Sequence, residues 1–157
     1  MNIKVSSYSL ELTRQLSLGN QNYSTINGFV ISINDGDTSG YGEISFLPEW
    51  TETQAHSADL LQTIPSTCNE TIMNKISQLP SAPATQFGLS LAFADLQSKQ
   101  QNTSLRRFLN PSISQDTLAV NATILDDDRT SMIQQAQSSV NEGFDCLKIK
   151  LGSRSID

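Results

Sequence analysis

The stretch that decides the fold lies near the end of the chain, where residues 143–152 read GFDCLKIKLG. A short apolar run that ends at glycine is typical of a buried strand. Lys148 and Lys150 are two residues apart, so a strand places both ammonium groups on one face. Burying two like charges costs free energy unless an anion faces them, which favours a chemical role as bases. The alternative is an edge strand whose two lysines face water.

The residues before this strand predict a parallel strand pair. Residues 118–124 have the pattern of a strand, and residues 129–142 follow a helical period that a glycine ends. The apolar residues with the helical spacing are Met132, Ala136 and Val140. A strand, a helix and a second strand of these lengths make a βαβ unit, which implies parallel pairing.

The first part of the chain predicts an antiparallel meander of three strands. Residues 3–12 alternate, residues 29–33 are rich in β-branched side chains, and residues 41–45 return after a turn. Residues 19–24 are polar and include turn residues, so we expect a loop between the first two strands.

Helices are predicted to follow the meander. Thr51 can cap a helix over about residues 52–63, and further helices are expected over about residues 69–78 and 84–99. The last of these is the strongest, because apolar side chains that include Phe87 surround most of it, as in a largely buried helix. Meander and helices together make an α+β domain.

A change of organisation near residues 110–116 separates two unlike pieces. Residues 1–112 have the elements of a complete α+β domain, whereas residues 113–157 can supply two strands of a parallel sheet. A (β/α)₈ barrel takes roughly 250 residues. We therefore expect the second piece to be truncated.

Composition argues against two classes of partner. The 157 residues carry a formal net charge of −6 without a basic stripe, which argues against binding to nucleic acid. No apolar run approaches the roughly 18 residues of a membrane span, and the first residues lack the apolar core of a signal peptide. We expect a cytoplasmic protein that does not bind membranes.

Four segments resemble the enolase superfamily, in the order in which its members have them. Residues 40–48 (GYGEISFLP) resemble the G-W-G-E-x-x-P-L-P signature of its capping domain, and residues 87–96 (FGLSLAFADL) resemble its long capping helix. Residues 120–124 (VNATI) resemble the first barrel strand, and residues 148–152 (KIKLG) resemble the K-x-K-x-G strand of the muconate-lactonizing subgroup. Within that subgroup the chain is most similar to the o-succinylbenzoate synthase family.

The resemblance implies an α+β N-terminal capping domain at residues 1–112, followed by the first βαβ unit of a truncated (β/α) barrel at residues 113–157. It implies a lyase of menaquinone biosynthesis, which removes the α-proton of a small-molecule carboxylate substrate and then eliminates water. Family members use Mg²⁺ for this reaction. Their acidic metal ligands and a second lysine lie on later barrel strands, so we expect this fragment to hold no metal and to have no turnover alone.

By the same resemblance, Lys150 is the base that takes the α-proton. Lys148 is its neighbour, which disfavours protonation of Lys150 and adds positive charge near the enediolate. Thr123 would contact substrate from the end of the first barrel strand, with a hydroxyl that satisfies the backbone as an equal alternative. Further substrate contacts are expected from loops that close over the barrel mouth, namely Tyr23, Leu47 and Trp50.

Acidic residues elsewhere have structural explanations. Asp126, Asp127 and Asp128 are consecutive, whereas oxygen-ligand sites usually space their donors. We therefore predict a solvated loop or a helix cap there, and no metal site. Glu43 is expected to be a structural acceptor within the antiparallel sheet.

Other functions stay open at this point. A dipeptide epimerase or a cycloisomerase of the same subgroup would share the lysine base. A stand-alone capping domain that acts as a binding module without catalysis is a different class, favoured because the first 110 residues look self-sufficient. The sequence makes no prediction of oligomeric state.

Overall fold

The chain divides into two units. The first comprises Met1–Arg14 with Ser24–Ile113, and the second comprises Gln15–Tyr23 with Ser114–Asp157. The computed structural model describes residues 1–18, 21–47, 49–65, 70–79, 81–114, 117–125 and 128–150.

Three strands form the larger sheet, and the predicted antiparallel meander is confirmed. They are β1 (Asn2–Leu18), β2 (Gln21–Asp35) and β3 (Thr38–Phe46), in the order β1-β2-β3. The pairing of β2 with β3 runs from Asn27 opposite Phe46 to Asp35 opposite Thr38. All three strands are longer than the apolar patterns that predict them.

The predicted loop at residues 19–24 is wrong in its second part. β2 begins at Gln21, so residues 21–24 belong to a strand, while residues 19–20 lie outside the described part of the chain. The cause is physical, because the hydrogen-bond ladder of an antiparallel pair joins backbone groups and does not require apolar side chains. A hydrophobic pattern therefore underestimates the length of such a hairpin.

Three helices that follow β3 have bounds close to the predicted ones, and a fourth, short helix comes after them. They are α1 (Gln54–Thr63), α2 (Glu70–Ser77), α3 (Pro83–Gln100) and α4 (Leu105–Leu109). The cap of α1 differs from the prediction, because Thr53 and not Thr51 accepts the hydrogen bond from the backbone N–H of His56. None of the described helices combines the length and apolarity that are needed to cross a bilayer.

The core of the first unit lies between one face of the sheet and α3. Alternate residues of β2 and β3 point into it, as the period of two along a strand requires. The inward residues are Phe29, Ile31, Ile33, Ile44 and Phe46. Leu89, Phe93 and Leu96 of α3 close the core from the opposite side.

Two glycines let α3 lie directly on the backbone of β3. A Cβ atom on Gly40 would lie 2.2 Å from the carbonyl oxygen of Ala92, and one on Gly42 would lie 1.9 Å from that of Gly88. Atoms do not approach so closely without a shift of the backbone, so a side chain does not fit at either position. The G-Y-G-E segment is therefore explained by this helix–strand contact.

The second unit contains the predicted βαβ arrangement. β4 (Ala122–Ile124) and β5 (Leu147–Ile149) pair in parallel, and α5 (Arg129–Asn141) lies between them in sequence. Asp128 caps α5 by accepting hydrogen bonds from two backbone N–H groups of the first turn, at 2.9 and 3.1 Å. The predicted helix cap within the acidic run is therefore confirmed at Asp128. Residues 126–127 lie outside the described ranges.

The prediction that the lysine strand is buried is wrong for the described residues. In β5, Leu147 is half-buried, Lys148 is exposed and Ile149 is 56% exposed. A parallel sheet is buried only where other elements cover both of its faces. The described part of this unit supplies one helix, α5, in which every residue is exposed or half-buried.

Candidate functional site

The two predicted lysines lie at the end of the parallel strand pair. Lys148 of β5 stands opposite Thr123 of β4, and the backbone N–H of Lys150 donates to the carbonyl of Ile124 at 2.9 Å. The ladder therefore continues as far as Lys150. Because alternate residues of a strand share a face, Lys148 and Lys150 lie on one side of the sheet, and both are exposed. Both amines are therefore open to solvent on that side.

Thr123 shares this face, because residues that stand opposite each other in a strand pair point the same way. It is exposed, whereas the next residue, Ile124, is 2% exposed and points to the other side. The register thus brings three predicted site residues together in the second unit. Their side chains offer two amines and one hydroxyl.

Leu47 and Trp50 belong to a tight turn between β3 and α1. The backbone N–H groups of Trp50 and Thr51 donate to the carbonyl of Leu47 at 3.0 and 2.9 Å. The Thr51 hydroxyl accepts a hydrogen bond from the Leu47 N–H at 3.0 Å, and Glu49 has a positive φ of 78°. This closed turn presents the Trp50 side chain, which is 68% exposed, to solvent.

A groove of about 310 Å³ runs beside Trp50 in the first unit. Trp50 and Phe87 are its large aromatic side chains, and Phe87 is 64% exposed. The remaining lining residues are Glu43, Ser45, Thr51, Pro83 and Ala84. The apolar pattern of α3 predicts that Phe87 is buried, and that prediction is wrong because Phe87 lines this groove, called the Trp50 groove below.

A buried carboxylate fastens the turn to α3. Glu52 is 8% exposed, and its side chain accepts hydrogen bonds from the backbone N–H groups of Ala84 and Thr85 and from the Thr85 hydroxyl. Burial raises the pKa of the Glu52 carboxyl, but the hydrogen bonds from Thr85 and from nearby backbone groups outweigh it and hold the pKa below its ordinary value. The carboxylate is therefore ionised at neutral pH.

Tyr23 lies on β2 and is half-buried, where the sequence predicted a loop. Leu47 and Trp50 are in the first unit, and Tyr23, Thr123 and the two lysines are in the second. Five of the six predicted site residues thus fall into two local groups.

Glu43 has a structural partner in the sheet, as predicted, because the Tyr8 hydroxyl donates to its carboxylate. Burial, and then the hydrogen bond to Glu43, raise the pKa of the Tyr8 hydroxyl above its ordinary value. A second groove, of about 520 Å³, lies over this pair on the outward face of the sheet. Leu10, Val30 and Tyr41 form apolar walls of this groove.

Metal ligands are not assembled in the described part of the chain. Across its ranges, no three His, Cys, Asp or Glu side chains come close enough together to hold an ion. Asp128 uses its carboxylate to cap α5. These residues therefore do not fit a Mg²⁺ site.

Comparisons with solved structures show which fold this is. An o-succinylbenzoate synthase from Thermosynechococcus elongatus, complexed with Mg in its active site, superposes with a TM-score of 0.71 at 23% identity, over 99% of this chain and 44% of that one. The L-Ala-D/L-Glu epimerase of Bacillus subtilis, in a substrate-liganded complex, gives 0.86 at 20% identity, over 99% and 46%. A member of the enolase superfamily from Listeria innocua gives 0.81 at 19% identity, over 97% and 44%.

This chain spans less than half the length of each of these proteins. No curated protein matches it. The family model described as "MenC, N-terminal domain" matches residues 1–96, which is more than half of the sequence. The chain therefore belongs to the MenC N-terminal domain family and has the capping-domain fold of the enolase superfamily, followed by one βαβ unit.

Proposed function

We propose that this chain is the N-terminal part of an o-succinylbenzoate synthase-like lyase of menaquinone biosynthesis. Its reaction would remove the α-proton of a small carboxylate substrate and then release the β-hydroxyl group as water. The observation that carries the proposal is the register of β4 with β5, which sets Lys148, Lys150 and Thr123 on one face. Membership of the MenC N-terminal domain family supports the choice of reaction.

In this proposal Lys150 is the base. Its neutral amine accepts the α-proton, and the electron pair of the broken C–H bond passes into the substrate carboxylate as an enediolate. The enediolate then expels the β-hydroxyl group, which takes the proton back from the Lys150 ammonium and leaves as water, so that Lys150 is neutral again. The positive charge of Lys148 stabilises the enediolate that forms beside it.

The exposed turn would help to select the substrate. Trp50 offers an exposed aromatic face, and Leu47 closes the turn that carries it. Tyr23 and Thr123 are proposed as further contacts, each through a hydroxyl group. These four assignments rest on the resemblance of this chain to the superfamily.

The complete reaction requires more chain than these 157 residues. We propose that residues 1–112 are a capping domain and that residues 113–157 begin a (β/α) barrel, whose later strands supply the Mg²⁺ ligands and a second lysine. The support is that the superposed enzymes are more than twice as long, and one of them holds Mg. On this basis the 157 residues by themselves would neither bind the catalytic metal nor turn over substrate.

A dipeptide epimerase is the second candidate. The support is that the Bacillus subtilis epimerase superposes with a TM-score of 0.86, above the 0.71 of the synthase. Epimerisation would use the same proton abstraction by Lys150, followed by return of a proton to the other face of the carbon. A cycloisomerase of the same subgroup would share the base as well.

Assays of the full-length protein in D₂O would separate these reactions. We expect loss of water from the hydroxy acid precursor of o-succinylbenzoate, followed as the appearance of the aromatic product. Deuterium incorporation into L-Ala-L-Glu without any dehydration of the precursor would instead establish the epimerase. Absence of both reactions with Mg²⁺ present would overturn the proposal.

A further inference from the structure

Glu52 joins three segments of the first unit at one buried carboxylate. Its Oε1 accepts hydrogen bonds from the backbone N–H and the hydroxyl of Thr85, both at 2.6 Å. Its Oε2 accepts one from the backbone N–H of Ala84 at 3.1 Å. These N–H groups belong to the first turn of α3, whose N-cap residue, Ala82, has a methyl group that cannot accept a hydrogen bond. Glu52 therefore caps the N-terminus of α3 from a position that is distant in the sequence.

The network continues to α1 through Ser57. The hydroxyl groups of Ser57 and Thr85 are 2.6 Å apart, and both residues are fully buried. Because the Thr85 hydroxyl donates its proton to Glu52, Ser57 must donate to Thr85. Ser57 thus donates to Thr85, and Thr85 donates to the Glu52 carboxylate. This network of hydrogen bonds links α1, α3 and the turn before α1 to the same negative charge.

The Glu52–Thr85 hydrogen bonds join the two segments that carry the aromatic walls of the Trp50 groove. Trp50 lies two residues before Glu52, in a turn whose own hydrogen bonds make it a closed loop. Phe87 lies two residues after Thr85, on the first turns of α3. Because the Glu52 carboxylate is hydrogen-bonded to Thr85, it links the turn that carries Trp50 to the part of α3 that carries Phe87.

We propose that Glu52 is a positioning residue, which fixes the turn that carries Trp50 against the N-terminus of α3 and thereby sets the affinity of the full-length protein for substrate through the proposed contact with Trp50. The statement about affinity rests on the proposed function, whereas the statement about the position of Trp50 does not. Glu52 does not touch the reacting atoms in this proposal. Its loss should change binding and leave proton abstraction by Lys150 largely intact.

The test uses the full-length protein with Glu52→Gln. The glutamine amide has the size of the carboxylate but presents donors to the Ala84 N–H, so one hydrogen bond is replaced by a donor–donor contact. We expect KM to rise about tenfold while kcat changes less than about twofold, the pattern of lost binding that is uniform between ground and transition states. Asp59→Asn removes an exposed carboxylate from α1 and serves as the matched control, with kinetics like those of the wild type.

A second readout follows Trp50 directly. Trp50 is the single tryptophan of this sequence. In protein labelled with 5-fluorotryptophan, its ¹⁹F resonance is identified by its disappearance in Trp50→Phe. Glu52→Gln should shift or broaden this resonance well below the unfolding temperature, and Asp59→Asn should leave it unchanged.

Thr85 provides an independent pair of variants should Glu52→Gln fail to fold. Thr85→Val removes the hydroxyl from the network and should reproduce both the rise in KM and the change in the Trp50 resonance. Thr85→Ser keeps the hydroxyl and should remain close to the wild type. Agreement between this pair and Glu52→Gln would identify the hydrogen bonds, and not the bulk of either side chain, as the cause.

The proposal is overturned if Glu52→Gln and Thr85→Val lower the unfolding temperature while KM and the Trp50 resonance stay at their wild-type values. That result would make Glu52 a purely structural cap. If the wild-type protein turns over neither the hydroxy acid nor the dipeptide, the proposed function fails. The ¹⁹F comparison then still decides whether Glu52 positions the turn.

Discussion

Gly42 and Gly88 bring β3 and α3 into direct backbone contact. A Cβ atom on Gly42 would lie 1.9 Å from the Gly88 carbonyl oxygen, and one on Gly88 would lie 2.5 Å from Cγ1 of Ile44. Helix and strand therefore meet where neither has a side chain. This contact places the buried face of α3 over the core and its N-terminal turns beside the Trp50 groove.

Gly42→Ala should destabilise the protein by about 3 kcal/mol or more, because the new methyl group meets backbone atoms that cannot rotate away. Gly36→Asn is the matched control, since Gly36 has a φ of +58° with open space around it, and asparagine tolerates that region. We expect it to cost less than about 1 kcal/mol. Urea denaturation measures both, and equal costs would argue against the backbone contact.

Glu52 should make stability depend on pH in the acid range. Its pKa is lowered in the folded state, so its stabilisation is fully present above the ordinary value of 4.5 and is lost as the pH falls through the lowered pKa. Glu52→Gln should therefore cost about 2 kcal/mol of unfolding free energy at pH 7, as for hydrogen bonds to a charged group. The difference from the wild type should narrow below about pH 4. A difference that is constant from pH 7 to pH 3 would contradict this.

Asp95 should protect the free edge of β3. Its carboxylate accepts a hydrogen bond from the Tyr41 N–H at 2.8 Å and pairs with the Lys99 ammonium at 2.7 Å. Asp95→Ala should cost about 1 kcal/mol, because the edge amide loses its acceptor. Asp95→Asn keeps an acceptor and loses an exposed ion pair, which is worth about 0.5 kcal/mol. Chemical denaturation compares the two variants, and equal losses would show that the edge hydrogen bond contributes nothing.

The elements that the sequence predicts well are those with a clear hydrophobic period. The alternation in β2 and β3 and the apolar positions of α3 produce the core that contains Ile31, Ile44 and Leu89. The order of elements and the parallel pairing of β4 with β5 also follow from such patterns. Polar strand ends, such as residues 21–24, are not predicted, because pairing through the backbone does not require an apolar pattern of side chains.

The candidate site is predicted less completely for another reason. Lys148 and Lys150 stand out because charge is unusual in an apolar strand, and the structure places them in solvent. Glu52 gives no such signal, since its partner Thr85 is 33 residues away in sequence and a glutamate before a helix is normally exposed. Phe87 is exposed although its helix is apolar on most sides, because the groove beside Trp50 leaves its position open.

Hydrogen–deuterium exchange at the substrate α-carbon tests the central claim most directly. In the full-length protein with Mg²⁺ and substrate in D₂O, Lys150→Ala should lower the exchange rate about a thousandfold, as for loss of a general base, and Lys148→Ala should lower it about tenfold. Lys75→Ala removes an exposed lysine from α2 and should leave exchange unchanged. Exchange by Lys150→Ala at close to the wild-type rate would contradict the assignment of Lys150 as the base.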